Sequence, residues 1–292
     1  MVSPACRGLE SLAMDPIAQL FTPVQHAAVW LGAFIHHRVA YDDMHDALFT
    51  LATSHRFNGG DGPGLAEMCK LVRRASSGAA DRLPPGHPLV QLVLTGPGDI
   101  PPVAAGTEAA RTVTATGAGA LVVADANPAV DHVFVPVPEH PVDLAAWDPD
   151  DGPATGWNWR HFRVGTTPTP PAAVGAGDAD HLLTTATDRA AALVAQAGGR
   201  TTRAWGGPDP RLTVGRLSDY YDYPGLPPHT PARTLKLLAR ADRVTAIIHT
   251  TVIALNDHSF DGELYQLARP IRLARQAAVN YALAEFARTP TG

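Results

Sequence analysis

Ala120-Leu121-Val122-Val123-Ala124, followed by Asp125-Ala126-Asn127-Pro128 and then His132-Val133-Phe134-Val135-Pro136-Val137, sets the architecture of this 292-residue chain. Two runs rich in β-branched residues flank a short polar segment whose Asp, Asn and Pro favour a turn, so the second run returns as an antiparallel neighbour of the first. Pro136 lacks a ladder donor and belongs at an edge or a strand end. Leu89-Val90-Gln91-Leu92-Val93-Leu94 supplies another strand, which stops at Gly96-Pro97-Gly98-Asp99. Trp157–Val164 reads as a further exposed or edge strand, and Gly106–Thr116 as a helix weakened by Thr112, Val113 and Thr114.

On either side of this centre the period changes to that of helices. Thr22–Arg38 carries Val24, Ala27, Ala28, Leu31, Phe34 and Ile35 at helical spacing, with Pro23 at a tolerated early position. Tyr41-Asp42-Asp43 opens a second helix with its acids near the positive end. Asn58–Gly64 is a breaker, and Leu65–Ser76 resumes helix before Gly78 and Pro84-Pro85-Gly86. After a Pro168–Pro171 connection, Asp178–Gln196 is helical and ends at Gly198-Gly199. Arg200–His229 reads as irregular, with a short strand around Leu212–Val214. Two long helices close the chain, near Pro231–Asn256 and Gly262–Arg288. The expected fold is α+β and predominantly helical, with N- and C-terminal helices packed around a small central antiparallel sheet. A single compact domain over 1–292 is expected, with helical subregions at 20–80 and 176–290 and the sheet at 88–165.

Hydrophobic residues make up 45% of the chain and charged residues 17%, a balance that argues for a packed core rather than disorder. The net charge of -5 is unevenly spread. Residues 200–292 hold 12 Lys+Arg against 8 Asp+Glu, and the remainder holds 11 against 20, so the two parts carry +4 and -9. Such asymmetry steers partners or draws the two parts together. Cys6 and Cys69 form no Cys-x-x-Cys pair, which fits a reducing compartment. Met1–Met14 has no leader pattern and no apolar run spans a bilayer, so the expected location is cytoplasmic, with no membrane contact.

The basic residues of the last two helices are the leading candidates for a contact surface. Arg233, Lys236, Arg240 and Arg243 fall on one face of the first, and Arg269, Arg272 and Arg275 on one face of the second. Both rows are expected to point outward while Leu235, Leu238, Ile248, Val252 and Leu255 supply an apolar side. Tyr220, Tyr221 and Tyr223, beside Pro224–Pro228, add aromatic area suited to an interface. Trp157, Trp159 and Trp205 are further possible anchors.

Chemical motifs are weaker. His36, His37, Asp42, Asp43, His45 and Asp46 carry imidazoles and carboxylates of metal-binding or proton-transfer type, but no His-Glu-x-x-His word occurs, and a capped helix junction explains them. His249, Asn256, Asp257, His258 and Asp261 form a second polar group that also reads as a helix end and the next cap. Gly59–Gly64 lacks the phosphate-loop lysine, and no serine sits in Gly-x-Ser-x-Gly. No catalytic, cofactor or metal residue is therefore assigned, and an enzyme is the less favoured class. Cys69 reads as a small core residue. Three classes stay open: an interaction or scaffold protein with a protein partner or homo-oligomer, a nucleic-acid-associated regulator using the basic faces, and a small-molecule enzyme with a site assembled from His and Asp.

Overall fold

The computed structural model describes residues 20, 22–84, 87–96, 99–140, 149–153, 155–165, 174–197, 210–255 and 261–288. The readings on Cys6, Pro85-Gly86, Pro97-Gly98, Pro168–Pro171, Gly198-Gly199, Trp205, Asn256, Asp257 and His258 lie outside them. The elements are α1 (Val24–Ile35), α2 (Tyr41–Phe49), β1 (His55–Phe57), α3 (Gly64–Ala80), β2 (Val90–Val93), α4 (Glu108–Thr116), β3 (Ala120–Ala124) and β4 (Val130–Pro138). A 3-10 turn (Pro149–Asp151), β5 (Trp157–Gly165), α5 (Ala176–Ala197), α6 (Pro210–Asp222), α7 (Ala232–Leu255) and α8 (Asp261–Arg288) complete the described chain. The fold is α+β and mostly helical, with N- and C-terminal helices flanking the small sheet.

The sheet runs β1-β5-β4-β3-β2, antiparallel except for the short parallel β1–β5 pair. The hairpin forms with Val123 opposite His132 and Leu121 opposite Phe134. Pro136 pairs across to Trp159, beyond the last β3–β4 pair, where a missing donor costs the β3 ladder nothing. The expectation of an exposed or edge strand at Trp157–Val164 is corrected. β5 lies between β1 and β4, with Trp157 5% and Trp159 0% exposed. The edge reading missed β1, a three-residue strand too short to announce itself.

Alternation along the strands builds two cores. Val90, Leu92, Leu121, Val123, Phe134, Trp157 and Trp159 face the larger one, shared with α1, α2, α3, α5, α7 and α8. Val93, Val122, Val133, Val135 and Val164 face the smaller one under Ala109 and Val113 of α4. Thr107 caps α4, its hydroxyl accepting the Ala110 N–H at 3.2 Å, and Gly117 ends it in the left-handed region at φ 60.

α8 is the hub, packing against α1, α5, α7 and β2. At its crossing with α1 a Cβ on Gly32 would lie 2.0 Å from Leu283 Cδ2, so any larger residue there would have to push the buried Leu283 side chain aside. The segment read as irregular at Arg200–His229 contains α6, and no strand forms at Leu212–Val214. Thr213, Val214 and Gly215 are poor helix formers, but Leu217 and Tyr221 bury against Ala246 of α7 and outweigh that preference. Among the described residues no helix is long and apolar enough to cross a membrane.

Candidate interaction surface

The two basic rows have opposite fates. On α7, Arg233, Lys236, Arg240 and Arg243 are all exposed, because Leu237, Leu238, Ala241, Val244 and Ile248 on the other side enter the core. Ile247, 45% exposed, lies among these cations, whereas Leu235, expected on the apolar side, is also 45% exposed but sits at the margin of the face beside Ala232 and Ala239. The face from Arg233 to Ile247 is about 21 Å long at 1.5 Å per residue. Arg240 bonds Asp180 at 2.5 Å and Thr184 at 2.8 Å on α5, and Arg233 sits 5.7 Å from the centre of the Tyr281 ring. Among the described residues Lys236 and Arg243 make no ion pair.

The outward row expected on α8 is corrected. Arg272 and Arg275 are buried, at 5% and 1% exposure. Arg275 donates to Leu20 O at 2.9 Å, Gln25 Oε1 at 3.0 Å and Thr245 Oγ1 at 2.9 Å, and its guanidinium meets the buried Asp242 carboxylate. Burial outweighs Arg275 in setting Asp242, which is pushed up to about 6. Arg272 pairs with Asp99 at 2.6 Å, and Arg269, although exposed, meets the same carboxylate at 3.4 Å. The reason is α8's position: surrounded on several sides, it turns two arginines inward, where carboxylates compensate them.

The tyrosines also separate. Tyr221 is 3% exposed and its hydroxyl meets His249 Nδ1 at 3.0 Å between α6 and α7, so it is a packing residue and not a surface one. Tyr220 is half-buried and Tyr223 is 59% exposed. Those two line a cleft.

The first His/Asp cluster becomes a surface feature of α2. Asp42, Asp43 and Asp46 are exposed, and Tyr41, His45 and Phe49 form a row at i, i+4 and i+8 with ring centres 5.6 Å apart at each step, the first pair tilted and the second stacked. Tyr41 is 38% and Phe49 55% exposed, which makes this face acidic and aromatic. His36, held near 4 by burial and by the charges of Arg38 and His37, ends α1. His249 stands apart in the α6–α7 contact. Among the described residues no group of three or more His, Cys, Asp or Glu side chains is arranged to hold a metal ion. Cys69 is buried and its thiol is pushed up to about 12 by desolvation.

Sequence reasoning missed one polar line. Asp125 Oδ2 meets His132 Nε2 at 2.8 Å, and His132 Nδ1 meets His161 Nε2 at 2.8 Å, the planes of the two rings lying 17° from parallel. A carboxylate accepting from His132 Nε2–H leaves its Nδ1 to accept from His161 Nε2–H, so the neutral line has one consistent set of tautomers. Bonds from the Asn127 N–H and His132 hold Asp125 below the usual carboxylate range. Burial and His132 lower His161 to about 4. The signal was available in the register, because a strand opposite His132 places a residue two positions from Arg163 at diagonal reach.

A model described as "Rv1486c-like protein, N-terminal domain" matches residues 25–176, and one described as "Rv1486c-like protein, C-terminal domain" matches residues 177–276. No curated protein and no solved structure matches the chain. The chain belongs to the Rv1486c-like family.

Proposed function

For this member of the Rv1486c-like family we propose an interaction role in which the protein binds a second copy of itself, the α7 face of one protomer meeting the α2 face of the other. The observation that carries the reading is the exposed α7 face, four cations on the same side as the exposed Ile247, with Leu235 exposed at its margin. α2 offers its complement, three carboxylates around Tyr41 and Phe49. Opposite charge supplies orientation and encounter rate, and the aliphatic and aromatic groups supply the area that leaves water. The unequal charge of the two parts of the chain acts in the same direction.

Sedimentation at about 50 mM and about 500 mM salt tests this, since exposed ion pairs are screened within about a Debye length. Self-association at low salt that weakens at high salt is expected. K236E/R240E and D43K/D46K should each abolish it, and mixing the two variants should restore it. A monomer at low salt and high protein concentration overturns the reading. The competing assignment, attachment to nucleic acid, has lost Arg272 and Arg275 to the interior. A salt-sensitive nucleic-acid shift removed by K236E/R240E, in a chain that stays monomeric, would replace self-association with that assignment.

A further inference from the structure

A cleft of about 310 Å³ opens where Thr50 and Leu51, just past α2, approach the 3-10 turn and the C-terminal end of α6. That volume lies at the small end of ligand sites. Pro23, Leu51 and Pro153 give it apolar walls, and α6 lays Asp219 and Tyr220 along one side with Tyr223 just past its last turn. Positions 216, 219, 220 and 223 fall at i, i+3, i+4 and i+7, so one helical stripe faces the cleft.

The electrostatics of this stripe favour a positive ligand. Arg216 is bound to Asp150 at 2.6 Å, which leaves Asp219 as the further carboxylate in the lining. The exposed Asp151 lies between the lining residues Asp150 and Gly152, and the exposed Asp222 precedes Tyr223. The C-terminal end of the 13-residue α6 adds the negative pole of its dipole. Tyr220 is pushed up to about 12 by burial, so it stays a neutral phenol with an intact ring quadrupole. Tyr223, also in the lining, is exposed.

We propose that this cleft binds a small organic cation, a quaternary or protonated amine. Its charge rests against the ring faces of Tyr220 and Tyr223 near Asp219, and its apolar body lies on Pro23, Leu51 and Pro153. Carboxylates alone would select metal ions or polyamines without preference for a hydrophobic body. Aromatic faces alone would accept neutral ligands. The combination selects a cation that carries methyl or methylene groups, because such a charge is weakly hydrated and gives up little on leaving water.

Titration followed by two-dimensional NMR compares choline with 3,3-dimethylbutan-1-ol, which has the same shape without the charge. Saturable shifts of cleft resonances with choline are expected, with binding of the neutral alcohol weaker by about tenfold or more. Y223F should hold choline affinity within about threefold, Y223A should lose about tenfold, and D219N should lose several-fold. Equal binding of the alcohol, no saturable response to choline, or a loss in Y223F equal to that in Y223A would each overturn the assignment. A peptide carrying one trimethyllysine separates a free amine from a protein side chain. Binding no tighter than choline supports the free amine, and binding about tenfold tighter overturns it.

Discussion

Asn280 on α8 satisfies both backbone groups of Leu92 in β2: its Oδ1 accepts the Leu92 N–H at 2.9 Å and its Nδ2 donates to the Leu92 carbonyl at 3.1 Å. One turn earlier, Gln276 Oε1 accepts the Leu94 N–H at 2.9 Å. One turn earlier again, the Arg272 guanidinium lies against Gly96, where a Cβ would come within 2.2 Å of Cζ. Four helical residues rise about 6.0 Å and two strand residues about 6.7 Å, so the two periods stay in step for three contacts. The amides of a helix thus stand in for a sixth strand and close an edge that would otherwise be open to pairing.

N280A should therefore cost far more than an ordinary partly exposed substitution. It leaves a donor and an acceptor on β2 without partners, and each such buried group costs about 1–3 kcal/mol. Urea unfolding of N280A should show a loss of about 2 kcal/mol or more, against about 0.5 kcal/mol for a neutral surface change. A loss within that smaller range would mean that water replaces the amide without penalty.

The Arg275–Asp242 contact should behave as a coupled pair. R275M leaves a buried carboxylate uncompensated and should cost about 3–5 kcal/mol. The R275M/D242L double variant should lose clearly less than the two single losses added together, as read from a double-mutant cycle in urea. Strict additivity would show that the two side chains contribute independently.

His55 predicts a pH dependence. Trp159 Nε1–H donates to His55 Nδ1 at 3.0 Å, so His55 Nε2–H is the group that meets Leu48 O at 2.8 Å. Protonation would set two N–H groups against each other, and burial lowers His55 to about 4. A histidine lowered on folding contributes its full stability above its unfolded value and loses it as pH falls toward the folded value. Between pH 6.5 and about 4 the unfolded chain binds the extra proton, so stability should fall by up to about 1.4 kcal/mol per pH unit for this group. His26, lowered to about 3, and His161, lowered to about 4, act in the same sense. The NMR signals of His55 should show no protonation at pH 5.5; titration near 6.5 would contradict the hydrogen-bond assignment.

A larger core shared by both matched segments should mean one unfolding transition. Leu31, Phe134, Trp159, Leu183 and Ile271 share a single buried cluster, although they span both matched segments. A fragment of residues 25–176 should lack fixed near-ultraviolet circular dichroism, and the whole chain should unfold with fluorescence and far-ultraviolet signals coincident. Two separated transitions would show that the segments fold independently.

Much of the fold was legible because it rests on local periods: the β3–β4 hairpin, the stripes of α1 and α3, and the two terminal helices all announce themselves at spacing 2 or 3.6. What escaped was settled by distant partners. Spacing groups Arg269, Arg272 and Arg275 on a face, but only the positions of Asp99 and Asp242 decide that the face turns inward. α6 is built from weak helix formers and exists because α7 offers it a surface. β1 is three residues long and is recruited by Trp157–Trp159. On the candidate surface, the α7 cations could be read outward because an uninterrupted apolar stripe lies behind them, whereas α8 has apolar contacts on several sides and gives no such contrast.

The borrowed strand formed by Gln276 and Asn280 also has a consequence in time. These residues follow their partners Leu94, just past β2, and Leu92, in β2, by 182 and 188 positions. At about 5–20 residues per second a ribosome takes roughly 10–40 seconds to deliver them. Throughout that interval the nascent sheet carries a bare rim, and a chaperone or a neighbouring polysome product can reach it before the chain's own final helix arrives.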